Sequence, residues 1–220
     1  MNQSENQSES QSVSQSDPHR IQTEAELRAL VGDELPGVAA KVFDRLDDDT
    51  RAFIEKAPFL VLATTDGEGQ LDASPKGDGP GFVWVEDDKT VVIPDRAGNR
   101  LVFGHRNILA NPHVALIFMI PGTSETFRLN GRAELTRDPE LLARLAARGR
   151  PALLAIRVRL DQCFFHCGKA LIRANLWNPE KWMSPHRVSF GEIFAARTGG
   201  NADMARQIDS AIEVDYRENL

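Results

Sequence analysis

The sequence predicts a mainly β fold, a small antiparallel barrel or sandwich with peripheral helices. Three observations lead there. From Pro58 the apolar pattern changes to runs of five to eleven residues with β-type composition. Turn signals such as Asp66-Gly67-Glu68-Gly69 separate these runs at short intervals. Helical stretches are too few between them for the regular strand–helix alternation of a doubly wound sheet.

Each element follows from local chemistry. Residues 1–19 are built almost wholly of Ser, Gln, Asn and Glu, cannot bury a core, and are expected to be disordered. Residues 20–56 read as a helical extension. Thr23-Glu24-Ala25-Glu26 is a capping box for a helix to Val31, Val38 to Leu46 reads as a second helix, and Asp47-Asp48-Asp49 favours a third from Thr50 to Lys56. The expected main domain spans 57–200. Phe59 to Thr65 and Gln70 to Ser74 read as paired strands, with Pro75 to Pro80 as an irregular loop. Gly81 to Glu86 and Lys89 to Ile93 form a hairpin, and Pro94-Asp95 stops the second strand. Leu101, His105, Ile108 and Leu109 recur at helical spacing before Asn111-Pro112. His113 to Ile120 and Thr126 to Thr136 are further strands. Asp138 caps a helix to Ala147, and Ala152 to Cys167 supplies a strand pair. Helices are expected over Lys169 to Leu176, Phe190 to Ala196 and, in the segment 201–220, Ala202 to Tyr216.

Composition limits the function. The chain has 41% apolar residues, 26% charged residues and a net charge of −6. That balance argues against a general nucleic-acid or anionic-membrane binder. No apolar run approaches the roughly 20 residues of a membrane span, and no apolar signal core stands at the N-terminus, so a cytoplasmic protein is expected. Cys163 and Cys167 flank Phe164-Phe165-His166. On a strand the two cysteines would share one face and lie about 13 Å apart, too far for a disulfide. With His166 on the opposite face, buried reduced thiols are favoured over a metal site.

The chemistry-bearing residues gather at strand ends. Arg96 and Arg100 bracket Ala97-Gly98-Asn99 between a strand and a helix start, an arrangement that suits a phosphate. Ser74, Lys76, Arg128, Lys169 and Arg173 stand beside similar breaks. Gly77-Asp78-Gly79-Pro80-Gly81 leads into a strand, so a Rossmann-type nucleotide loop is rejected. No nucleophile motif, histidine pair or metal-ligand spacing is present, and no catalytic acid or base can be named.

Four segments together resemble the pyridoxamine 5′-phosphate oxidase-like superfamily, in the branch assigned to FMN-dependent enzymes of the oxidase class. They are FLVLATTDGEGQLDASPKGDGPGFV, IPDRAGNR with NILANPHVALIF, PGTSETFRLNGRAEL, and FFHCGKALIRANLWNPEKW, in order over about residues 38–200. The resemblance implies an FMN-binding split β-barrel of antiparallel Greek-key type with peripheral helices. It further implies a homodimer with FMN at the subunit interface and an oxidoreductase acting on a small organic substrate. It places Lys76 near the flavin, Pro94 and Asp95 along its ring, and Arg100, after Asn99, on its phosphate. Thr126, after Glu125, would bond the flavin from a later strand, and Lys169, Arg173 and Trp177 would close the pocket. Ser74 and Arg96 are expected to support the phosphate grip, and Arg128 is counted among the cofactor-binding residues. Leu101 and Leu71 stand where true pyridoxamine phosphate oxidases carry a lysine and an arginine, so pyridoxal phosphate synthesis is not expected. The alternatives are a non-catalytic flavin-binding or flavin-sensing module, or a barrel holding a deazaflavin or haem.

Overall fold

The computed structural model describes residues 17–219. Of the low-complexity tail expected over residues 1–19, positions 1–16 lie outside the described residues. The chain divides into two units between Ala39 and Ala40. The first carries α1, Glu24–Val31, with the expected capping box. Thr23 Oγ1 accepts the Glu26 N–H at 3.2 Å, and the Glu26 carboxylate accepts the Thr23 N–H at 3.2 Å.

The helix expected over Val38 to Leu46 is reduced to a short 3-10 turn, Val38–Lys41. Phe43 instead bridges to Cys163, its N–H donating to the Cys163 carbonyl at 2.9 Å and its carbonyl accepting the Cys163 N–H at 2.8 Å. The sheet explains this, because the strand carrying Cys163 has an open edge at that point.

The second unit is built on seven strands. They are β1 (Phe59–Thr65), β2 (Leu71–Gly77), β3 (Trp84–Val85), β4 (Thr90–Asp95), β5 (His113–Met119), β6 (Thr126–Thr136) and β7 (Leu154–His166). They form one antiparallel sheet in the order β2-β1-β5-β6-β7-β4-β3, with β2 and β3 at unjoined edges. The fold class is therefore the expected one, a mainly β split-barrel type with peripheral helices.

Several boundaries differ for physical reasons. Pro75-Lys76-Gly77 belongs to β2, where Pro75 lies opposite Val61. An edge strand tolerates a residue without an N–H, since half of its backbone groups need no strand partner. Likewise β4 runs through Pro94 and Asp95, opposite Ala155 and Leu154. β3 covers only Val91 and Val92, so Pro94 has a neighbour on one side alone. The strand pair expected from Ala152 to Cys167 is one 13-residue strand. β6 follows it throughout, with a bulge between Asn130 and Gly131, whereas β4 covers it only as far as Arg159. That leaves the Cys163 edge free for Phe43.

The larger of two buried clusters lies on one face of this sheet. Leu60, Leu62, Leu116, Phe118, Phe127, Leu129, Ile93 and Val158 are fully buried or nearly so. α2, Asp48–Lys56, begins at an Asp47 cap and buries Ile54 in the same cluster. Its Phe53 ring meets Phe165 edge-on at 5.4 Å and lies 6.3 Å from Phe127. A fully buried side chain of this size is worth about 1.5–3 kcal/mol. The remaining helices are α3 (Phe103–Ala110), α4 (Pro139–Arg144), α5 (Lys169–Arg173), α6 (Phe190–Thr198) and α7 (Ala202–Glu218). α6 and α7 pack together through Gly191, where an added Cβ would lie 2.0 Å from the Ala205 carbonyl oxygen. Cys163 is buried as expected, and burial pushes its thiol up to about 11. Cys167, expected to be buried, is exposed because β7 ends at His166, one residue before it.

Candidate functional site

Alternation along β2 positions the first wall of the site. Asp72, Ser74 and Lys76 lie opposite Thr64, Leu62 and Leu60, so all three project to the face that those core residues share. The end of β4 adds Asp95, and the loop from Arg96 to Val102 leads into α3. With Leu153 and Leu154 these segments enclose a cavity of about 380 Å³. That volume falls within the range of roughly 300–1,000 Å³ usual for small-molecule sites.

At one end Lys76 Nζ meets Asp95 Oδ1 at 2.6 Å, and His105 Nε2 lies 3.4 Å from the same oxygen. These side chains are only 19%, 15% and 14% exposed. Burial alone would raise the Asp95 pKa, but contact with His105 and Lys76 outweighs it and holds the carboxyl below its ordinary range. Nε2 of His105 is buried and has no aligned hydrogen-bond partner among the described residues. The imidazole therefore retains unmet hydrogen-bonding capacity inside the cavity wall.

At the other end the loop is unusual in its backbone. Arg100 and Val102 both adopt left-handed φ values, 61° and 50°. Asn99 Oδ1 accepts the Leu101 N–H at 3.0 Å and helps to fix the turn. Val102 offers no side-chain cap to α3, so the first N–H groups of that helix keep free hydrogen-bonding capacity. Arg100 lines the cavity, is exposed, and makes no ion pair among the described residues. An unpaired guanidinium beside an uncapped helix start is suited to an oxyanion.

Arg96 is placed differently from the expectation. It lines the cavity, but its Nε pairs with Asp78 at 3.0 Å and a terminal nitrogen donates to the Leu145 carbonyl at 2.9 Å. Its guanidinium ties two loops together. Ser74 also lines the cavity, yet its hydroxyl donates to Asp72 Oδ2 at 2.7 Å. Pro94 is buried behind the wall.

The expected residues thus separate into two groups. Ser74, Lys76, Asp95, Arg96, Asn99 and Arg100 share the cavity. Glu125, Thr126, Arg128, Lys169, Arg173 and Trp177 do not line it. Thr126 begins β6 opposite His166, Arg128 stacks on Phe164 with 5.2 Å from guanidinium carbon to ring centre, and Trp177 Nε1 donates to the Thr123 carbonyl at 2.8 Å. Glu125 is exposed just before β6, and Lys169 and Arg173 stand on α5. Sequence reasoning missed His105 and Asp72. Helical spacing had placed His105 on an apolar face, and nothing local pairs it with Asp95. The alternation of β2 would have found Asp72, had the strand been extended through Lys76.

Among the described residues no group of three His, Cys, Asp or Glu side chains could hold a metal ion. No described helix is long and apolar enough to cross a membrane.

The chain thus forms an open antiparallel split barrel with a cavity at its strand ends and an unpaired arginine beside a helix start. Residues 46–167, more than half of the chain, match the family profile described as pyridoxamine 5′-phosphate oxidase, and the chain belongs to that family. Among solved structures it is similar to HupZ of Group A Streptococcus, at 18% identity over 55% of this chain and 93% of that one, with a TM-score of 0.45. A Lactobacillus delbrueckii protein described as a candidate pyridoxamine 5′-phosphate oxidase matches at 21% identity, over 56% and 95% of the two chains, with a TM-score of 0.43. An FMN-binding protein from Syntrophomonas wolfei matches at 10% identity, over 52% and 86%, with a TM-score of 0.40. No curated protein matches the chain.

Proposed function

We propose that this protein binds FMN across a homodimer and is a cytoplasmic FMN-dependent oxidoreductase of a small organic substrate. The observation that carries the reading is the cavity between β2, β4 and α3, with unpaired Arg100 at one end and the Lys76–Asp95–His105 cluster at the other. The residues present fit the cofactor. Arg100 and the open N–H groups of α3 would hold its phosphate, supported by the Asn99 turn. The apolar walls, Leu62, Leu154 and Ile156, would receive its ring. FMN, when bound, supplies hydride chemistry. Lys76 is fixed in the cavity wall by Asp95. His105 is the group able to hold or release a proton at Nε2 in that wall.

The rim of the cavity supports the dimer. Leu101, Val102, Phe103 and Leu153 are each between 47% and 63% exposed, an apolar margin suited to cover by a second chain. Glu125, Thr126, Arg128, Lys169, Arg173 and Trp177, which lie away from this cavity, would then form a wall of the partner's cavity.

Purified protein is expected to carry flavin absorption in the visible or to gain it with added FMN, and to migrate as a dimer. Mass spectrometry of the released ligand separates FMN from a deazaflavin or haem. A colourless protein that ignores FMN would sink the reading, and a flavin-loaded protein with no turnover on any donor would reduce it to a sensing module.

A further inference from the structure

We propose that a second anion site adjoins the flavin cavity, built by the turn from Ala147 to Arg150, and that it takes the oxyanion end of a small molecule, a phosphate ester or a carboxylate. That this molecule is the substrate rests on the flavin reading. The anion site itself does not.

The turn stands on a groove of about 540 Å³ lined by Asp78, Arg96, Arg148, Arg150, Leu153 and Asn219, among others. Arg96 and Leu153 also line the flavin cavity, so these two side chains form the shared wall between the two spaces. A molecule anchored in the groove would border the cavity across Leu153 and Arg96.

The charge in the groove is unbalanced. Asp78 is already paired with Arg96 at 3.0 Å. Arg148 and Arg150 make no ion pair and no side-chain hydrogen bond among the described residues. Asp78 and Arg96 offset one another, so Arg148 and Arg150 leave the lining of the groove with excess positive charge. Each offers a planar fork of donors that matches a phosphate or carboxylate.

The backbone carries a second, independent sign. Ala147 and Arg150 exchange N–H to carbonyl hydrogen bonds, both at 2.9 Å. The two residues between them are left-handed, Arg148 at φ 51° and Gly149 at φ 74°. This is a two-residue hairpin turn whose first central position favours Asn, Asp or Gly. Arginine has no backbone reason to stand there, so its side chain is the better explanation. The base of the turn is fixed. Leu141, Leu145 and Ala152 are buried against Val92 and Ala155, and Arg96 holds the Leu145 carbonyl. The two arginines therefore sit on a rigid platform, which lowers the ordering cost of gripping an anion.

The test uses the full-length protein with the first cavity filled by FMN, or in the Arg100→Ala background if FMN does not bind. Calorimetric titration with inorganic phosphate and with succinate is compared for wild type, Arg148→Gly and Arg148→Gly/Arg150→Ala. Glycine is at ease at φ 51°, so Arg148→Gly removes the guanidinium while keeping the turn, and its melting temperature should stay level or rise. Each lost arginine should weaken the bound probe by about tenfold or more, with FMN affinity unchanged. Preference for phosphate over succinate assigns a phosphate ester, and the reverse a carboxylate. Absence of binding at millimolar probe, or equal binding by wild type and the double variant, overturns the proposal. A protein that ignores FMN but loses phosphate on Arg148→Gly/Arg150→Ala would refute the flavin reading and leave the anion site standing.

Discussion

Replacing Asp95 by Asn should cost about 2–3 kcal/mol, because it removes the charge that pairs with Lys76 and lies beside His105. The carboxylate receives Lys76 at 2.6 Å and lies 3.4 Å from His105, and the three side chains are only 14–19% exposed. The amide keeps the shape but not the charge, so Lys76 is left as a half-desolvated cation. For a domain of this size the loss corresponds to a fall in melting temperature of about 5–10 °C. Its pH dependence has a definite sign. The folded Asp95 pKa is depressed below that of the unfolded chain, so its stabilising contribution is fully present above the unfolded value of about 3.9 and is lost as pH falls through the lower, folded value. Thermal melts of FMN-free protein should show a constant gap between wild type and Asp95→Asn from pH 7 to about pH 5, closing as pH drops below about 4. A gap that persists undiminished at pH 3 would refute the argument that charge holds the cluster together. One that closes instead near pH 6 would refute it too, by assigning the effect to a histidine.

Further outcomes follow from other parts of the fold. Arg100→Ala should weaken FMN by about 1.5–3 kcal/mol and leave riboflavin almost untouched, as read by fluorescence titration; equal losses would make Arg100 a structural residue. Gly131→Ala should destabilise the protein by about 2–4 kcal/mol in urea unfolding, because an added Cβ would lie 2.2 Å from the Arg159 carbonyl oxygen at the bulge, and the backbone there must shift. With a thiol reagent at pH 8, Cys167 should react within minutes and Cys163 only on unfolding, since Cys167 is exposed and Cys163 is buried with its thiol raised to about 11.

The sequence showed the strands most clearly where hydrophobic pattern and turn chemistry agree. Phe59 to Thr65 and Thr126 to Thr136 were legible to the residue, because each lies between Pro, Gly or polar breaks and both are central in the sheet. Edge positions misled the reading. Proline at 75 and 94 signals a strand end in a central strand, and here both stand where a missing N–H has no partner to lose. Phe43 could not be read locally at all, since its position depends on how far β4 covers β7, more than a hundred residues away in the chain. In the site the residue types were visible but their engagements were not. Arg96 looked as free as Arg100, yet Asp78 and the Leu145 carbonyl hold it. His105 was concealed in an apolar helical pattern because its partner, Asp95, lies across a turn that no periodicity describes.

The order of pairing in the sheet bears on how a ligand would alter the lifetime of the folded state. β1 with β2 and β5 with β6 are joined by short connections and can form early. β4 reaches β7 through residues as distant as Thr90 and Arg159, and such closures come late because the chain entropy is lost before contacts repay it. Asp95 lies at the end of that pairing, so the cavity is expected to form late in folding. A ligand seated there cannot speed the search for the native state. It should act almost wholly on the reverse step, slowing unfolding and leaving the refolding rate unchanged. Cofactor binding in this protein would then set the half-life of the native state, and through it resistance to proteolysis, more than it sets the yield of folding.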